Sequence, residues 1–267
     1  MKARGELLLY RLSWTFDMMM SPTWRNLNDS FESWAYRSGC LRQIQELEAL
    51  DLIESRAEAG LGKRRVFRLT ELGRLAALGG RDPEAAWSRP WDGQWRMVMF
   101  DVPEAARDAR EMLRAALRKL HFGCLQKSVW ISPGSLAEVA DEMKRLKADT
   151  ASLVLMEGRP CGGETARDLV GTAWDFKGIN RAWERLRQHL ATVPGKRGRA
   201  CAEELVDWSA EELVRWKACM SLDPLLPKVL HPSIYHGPGT WKLRRKVFAS
   251  LGRQLVGDVR LSGRSSD

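Results

Sequence analysis

Asp101 closes the apolar run of WRMVMFDVPE, residues 95–104, and is the first residue whose type and place suggest chemistry. A carboxylate at the end of a strand can hold a hard divalent ion such as Mg²⁺ through its oxygens and bound waters. The same carboxylate just ahead of a helix would cap the first turn and face the positive end of the helix dipole. Pro103 and Glu104 suit a first turn, and the amphipathic ARDAREMLRAALRKL follows them. The nearest histidine, His121, lies at the far end of that helix, so no general base accompanies the acid. This setting favours a cap or turn role for Asp101, with metal binding as the alternative. The sequence has no GxxxxGK[ST], GxSxG or HExxH, which removes the strong motif routes to an NTPase, a hydrolase or a zinc protease. Cys40, Cys124, Cys161, Cys201 and Cys219 form no CxxC pair and have no histidine at zinc-finger spacing, so they read as buried thiols in a reducing cytoplasm.

A second set of residues suits nucleic acid. In RSGCLRQIQELEALDLIESR, Leu41, Ile44, Leu47 and Leu50 fall on one stripe. The spacing predicts a helix over 38–50, with Ser38 as its N-cap. Arg37, Arg42 and Gln45 lie off that stripe, and arginine and glutamine can bond guanine and adenine edges bidentately. LIES, a glycine-containing turn and RRVFRLT then predict a hairpin, whose tip carries Lys63, Arg64 and Arg65 for phosphates. Helices followed by a basic hairpin is the order of a winged helix-turn-helix. Glu46 and Glu48 lie on the same helix and oppose contact with phosphates.

The whole composition fits such a partner. The 267 residues carry 43 Lys and Arg against 34 Asp and Glu, a net charge of +9. The excess is clustered: residues 56–68 hold five bases and one acid, 194–199 three and none, 241–267 seven and two. No apolar stretch approaches the roughly 18 residues of a membrane span, and MKARGELLLYRLSW reads as an amphipathic helix, not a signal peptide.

Three segments must position these residues. Residues 79–93, GGRDPEAAWSRPWDG, break periodicity and read as a linker. Beyond it, QWRMVMF, the arginine-rich helix (Met112, Leu113, Leu117 and Leu120 inward), FGCLQKSVWISP, GSLAEVADEMKRLKA and SLVLMEG alternate strand and helix in the ferredoxin-like pattern. From WDFKGINRAWERLRQHL onward the chain is helical, interrupted by the proline-fixed loop LDPLLPKVLHPSIYHGPGTW. The 12 tryptophans, mostly at helical spacing, are predicted core.

Three motifs in order, WDGQWRMVMFDVPE, LHFGCLQKSVWISP and LDPLLPKVLHP, resemble the PaaX family of bacterial transcriptional repressors of aromatic catabolism. The chain departs from that family after LDPLLPKVL, where SIYHGPGTW stands in place of a Trp-Pro-Gly step. The resemblance implies an α+β multidomain protein: a winged helix-turn-helix over 1–78, a linker over 79–93, a ferredoxin-like domain over 94–176 and a helical domain over 177–267. It further implies a non-enzymatic cytoplasmic regulator with no cofactor, a homodimer that binds double-stranded operator DNA and is released by an aryl-acyl-CoA such as phenylacetyl-CoA. Under this reading Arg37, Ser38, Arg42, Gln45, Lys63, Arg64 and Arg65 form the DNA surface. The effector would use Trp130, Trp174, Trp183, Trp208, Trp216 and Trp241, with the basic runs Gly195–Arg199 and Lys242–Lys246. The middle segment also resembles the small ferredoxin-like subunit of CRISPR adaptation, which implies the alternative of a nuclease using Asp101. A winged-helix protein adaptor is a further alternative.

Overall fold

The computed structural model describes residues 5–6, 9–10, 41–57, 65–103, 106–146, 153–194 and 202–262. The chain forms two compact units. One comprises Met1–Asp82, Arg185–Lys217 and Gly239–Asp267; the other comprises Pro83–Glu184 and Ala218–Pro238.

In the first unit, α1 (Leu41–Ala49) buries Ile44 and Leu47, as their spacing predicts. Leu50 was expected on the same stripe but is 50% exposed. The helix ends at Ala49, and Asp51 takes φ 54°, so the chain turns away before Leu50 can complete the stripe. Strands β1 (Ile53–Ala57) and β2 (Arg65–Leu69) pair antiparallel, Ile53 opposite Leu69 and Ala57 opposite Arg65. Buried Leu52, Ile53 and Leu69 anchor the base of this hairpin. Thr70 then caps α2 (Glu71–Ala77), accepting from the Gly73 amide at 2.9 Å and donating to the Asp51 carbonyl at 2.6 Å.

Deeper in the same unit, Arg244 is only 3% exposed and forms a 2.6 Å ion pair with fully buried Glu212. Its guanidinium lies 4.1 Å from the ring centre of Trp216 and 4.4 Å from that of Phe248, with Tyr10 and Trp241 beyond. Burying such a charge is tolerable only because a carboxylate and aromatic faces surround it. Desolvation nevertheless pushes the Glu212 carboxyl above its ordinary pKa.

The second unit holds a four-stranded antiparallel sheet in the order β4-β5-β3-β6: β3 (Trp95–Phe100), β4 (Gly123–Gln126), β5 (Val129–Ser132) and β6 (Leu153–Gly158). With α4 (Arg107–Lys119) after β3 and α5 (Ala137–Leu146) before β6, this is the expected ferredoxin-like β-α-β-β-α-β arrangement. Alternation along β3 sends Val98 and Phe100 into a core with Leu113, Ala116, Leu117, Phe122, Trp130 and Val139. Of the four residues expected inward on α4, Leu113 and Leu117 are buried, while Met112 and Leu120 are partly so.

The stretch expected as a linker contains a short helix, α3 (Pro83–Ser88). Its Trp87 is buried and donates from Nε1 to the Tyr235 hydroxyl at 2.9 Å. A partner 148 residues away explains why local composition alone reads as a linker. The helices α6 (Ala166–Ala173), α7 (Phe176–Ala191), α8 (Ala202–Leu222) and α9 (Gly237–Ser262) complete the described chain. No described helix is long and apolar enough to cross a membrane.

Candidate nucleic-acid surface and ligand cavity

On α1, Arg42 and Gln45 are both exposed, on the side away from buried Ile44 and Leu47. Arg42 spends its guanidinium on Glu46 one turn later, Nε to Oε1 at 3.3 Å, so the helix pairs a prospective base reader with an acid. Arg65 begins β2, at the hairpin end opposite Ala57. Arg37, Ser38, Lys63 and Arg64 lie outside the described residues, so the structure describes only Arg42, Gln45 and the backbone of Arg65 from the expected DNA set.

Asp101 does not cap α4. That helix begins at Arg107, with Ala106 at the N-cap and no side-chain cap bond. Asp101 stands five positions before Ala106, exposed, directly after β3, and it makes no hydrogen bond or ion pair among the described residues. The strand ends here because Val102 and Pro103 leave the sheet: proline has no amide to donate, and the Val102 carbonyl instead accepts from Arg110 Nη2 at 2.7 Å. No group of three or more His, Cys, Asp or Glu side chains among the described residues is placed to hold a metal.

The six tryptophans expected around an effector divide between the two units. Trp208, Trp216 and Trp241 belong to the first, where the last two flank Arg244. Arg244 is thereby withdrawn from the basic run Lys242–Lys246, although Lys242, Arg245 and Lys246 are exposed. The other run, Gly195–Arg199, lies outside the described residues. In the second unit Trp183 is fully buried and donates to Asp223 at 2.6 Å.

Trp130 and Trp174 instead line a cavity of about 670 Å³ inside the second unit. Arg110, Arg114 and Arg118 come from successive turns of α4, and Lys127 from the turn between β4 and β5. Trp174 is fixed by its Nε1 bond to the His121 carbonyl at 3.2 Å. Gly123 makes room for it: a Cβ there would come within 2.5 Å of the Trp174 ring. The FG of LHFGCLQ therefore has two jobs, Phe122 in the core and Gly123 beneath an indole. Sequence reasoning missed the arginines of α4 as a site. Their spacing of four residues was the available signal.

Residues 88–170 match the family described as PaaX protein central Cas2-like domain. The middle of the chain is a PaaX-type domain. The resemblance to the PaaX family drawn from the sequence motifs is thus borne out. A solved structure, described as the uncharacterized protein Rv0674 from Mycobacterium tuberculosis, superposes with a TM-score of 0.56 at 20% identity, covering 95% of this chain and 97% of that one. At that identity the likeness is one of fold. No curated protein matches the chain.

Proposed function

We propose that this PaaX-type chain is a transcriptional regulator that binds double-stranded operator DNA through residues 1–78, folded as a winged helix-turn-helix. The observation that carries the reading is the PaaX central domain at 88–170, preceded in the chain by a helix exposing Arg42 and Gln45 and a hairpin with Arg65 at its outer end. Under this reading α1 enters the major groove and the wing meets the flanking backbone. The protein acts as a homodimer without catalysis or cofactor, matching two-fold operators, with a ferredoxin-like domain over 94–176 and a helical domain over 177–267. An aryl-acyl-CoA releases it from DNA by binding the DNA-free state more tightly, since a ligand without differential affinity shifts nothing.

Replacing Lys63, Arg64 and Arg65 together with alanine tests the DNA half. Binding to all duplex sequences should weaken alike, and the dependence on salt should flatten, because each neutralised phosphate contributes about 0.9 to the logarithmic slope. A triple variant with unchanged affinity and slope on duplex DNA removes the assignment.

A further inference from the structure

The first half of α9, residues 237–250, contains Lys242, Arg244, Arg245 and Lys246 and no acid. Helical spacing divides these cations. Thr240, Arg244, Phe248 and Leu251 are buried on one face, while Lys242, Arg245 and Lys246 are exposed on the other. Lys242 and Lys246 form no ion pair among the described residues. Lysines one turn apart repel each other, which weakens a helix, and the first turn of α9 supplies no acid to offset this. A polyanion laid along the face would relieve the repulsion.

The neighbouring helix carries the opposite charge. α8 runs antiparallel to α9: Trp216 meets Trp241 with ring centres 5.4 Å apart, Glu212 pairs with Arg244 at 2.6 Å, and Trp208 meets Phe248 at 6.3 Å. On α8 the exposed residues Glu204, Asp207 and Glu211 are acidic. The basic face is thus particular to α9 and not a general property of the helical pair.

The same pair of helices holds the segment read as DNA-binding. Tyr10 packs edge-on against Phe248, ring centres 6.3 Å apart, and its ring centre lies 5.7 Å from the Arg244 guanidinium. Lys217 of α8 pairs with Glu6, and Trp216 Nε1 donates to the Leu78 carbonyl at 3.1 Å. Contacts near both ends of residues 1–78 therefore tie it to α8 and α9 within one compact unit.

We propose that Lys242, Arg245 and Lys246 form a second phosphate-contact surface for duplex DNA, outside residues 1–78. The choice of duplex DNA rests on the regulator reading; the basic face does not. Four helical residues rise about 6 Å, so lysines on successive turns can reach separate phosphates, which follow at about 3.4 Å along each strand. Lysine meets phosphate as a point charge, and such contacts add affinity without reading sequence.

Duplex binding by the full-length protein, measured over a range of salt, tests this. Lys242→Gln with Lys246→Gln should weaken binding at least about fivefold near 0.1 M salt, alike on preferred and unrelated sequences. The slope of log affinity against log salt should fall by up to about 1.8, from about 0.9 per lost contact. Lys242→Arg with Lys246→Arg should keep both quantities. So should Lys177→Gln with Lys228→Gln, which removes the same charge from exposed positions of the other unit. Melting temperature should hold in the glutamine pair, because a repulsion has been removed; partial unfolding would lower apparent affinity without changing the slope. An unchanged slope in that pair, an equal loss in the Lys177 and Lys228 control, or a loss confined to single-stranded RNA overturns the proposal. Failure of wild type to bind any duplex removes the regulator reading and this surface together. Duplex binding weakened by the triple wing variant but not by the α9 pair removes this surface alone, and the reverse result removes the wing assignment and leaves the surface standing.

Discussion

Trp183 and Asp223 meet through a 2.6 Å hydrogen bond from the indole Nε1 to the carboxylate Oδ2, with both side chains fully buried. The same oxygen accepts from the Tyr235 hydroxyl at 2.8 Å, and Oδ1 accepts from the Leu225 amide at 2.8 Å. Asp223 is the one acid of LDPLLPKVLHP, and it ties that proline-rich segment to α7 within the second unit. Leu225, Leu226 and Leu230 bury themselves beside it. Asp223→Ala should therefore destabilise strongly, since each orphaned buried donor costs about 1–3 kcal/mol. Urea denaturation checks this, and a loss below about 1 kcal/mol would show that the network contributes little.

Local periodicity made the central sheet legible. Val98 and Phe100 alternate with Trp95, Met97 and Met99, and the expected ferredoxin-like order follows from that pattern and the two helices between the strands. What failed to show depends on distant contacts. Trp87 looks like part of a linker until Tyr235 is placed against it, and the Trp-rich segments look like one pocket until Arg244 claims Trp216 and Trp241. The cavity arginines lay in plain view on α4, but a basic helix face reads as solvated unless Trp130 and Trp174 are seen opposite it.

Acid should weaken the second unit through Glu142. Hydrogen bonds from Arg145 at 2.6 Å and Lys119 at 3.1 Å, with their charges, lower its pKa from 4.5 to about 2. A depressed carboxylate pKa stabilises the fold above the unfolded value and loses that contribution as pH falls through the folded one. Wild-type stability should thus decline between pH 4.5 and about 2 more steeply than that of Glu142→Gln. Thermal unfolding across this interval measures the difference, and parallel curves would show that the ion pairs add nothing.

Arg42 pairs with Glu46 at 3.3 Å while remaining 75% exposed, so in the DNA-binding reading the acid competes with a base edge. Glu46→Gln should free the guanidinium and remove a charge repelled by phosphate, tightening duplex binding severalfold. Arg42→Ala should cost roughly 1–3 kcal/mol on the preferred site and relax preference at one base position. Binding-site selection on both variants reads this out; identical preferences for Arg42→Ala and wild type would place Arg42 outside the interface.

Asp101 ends β3 exposed, five residues ahead of the Ala106 cap, and without a hydrogen bond among the described residues. A true N-cap acid costs about 0.5–2 kcal/mol when changed to alanine, because a helix amide loses its acceptor. Here α4 starts without a side-chain cap, so no such acceptor is lost. Asp101→Ala and Asp101→Asn should therefore both stay within about 0.5 kcal/mol of wild type, as surface substitutions do. The same two variants test the nuclease alternative, in which this carboxylate would hold a divalent ion against a nucleic-acid phosphate. Purified wild type incubated with DNA or RNA and Mg²⁺ or Mn²⁺ should leave both intact. Cleavage by wild type that disappears in Asp101→Asn, with stability unchanged, would establish metal-dependent catalysis at the strand end and displace the regulator reading of the central domain.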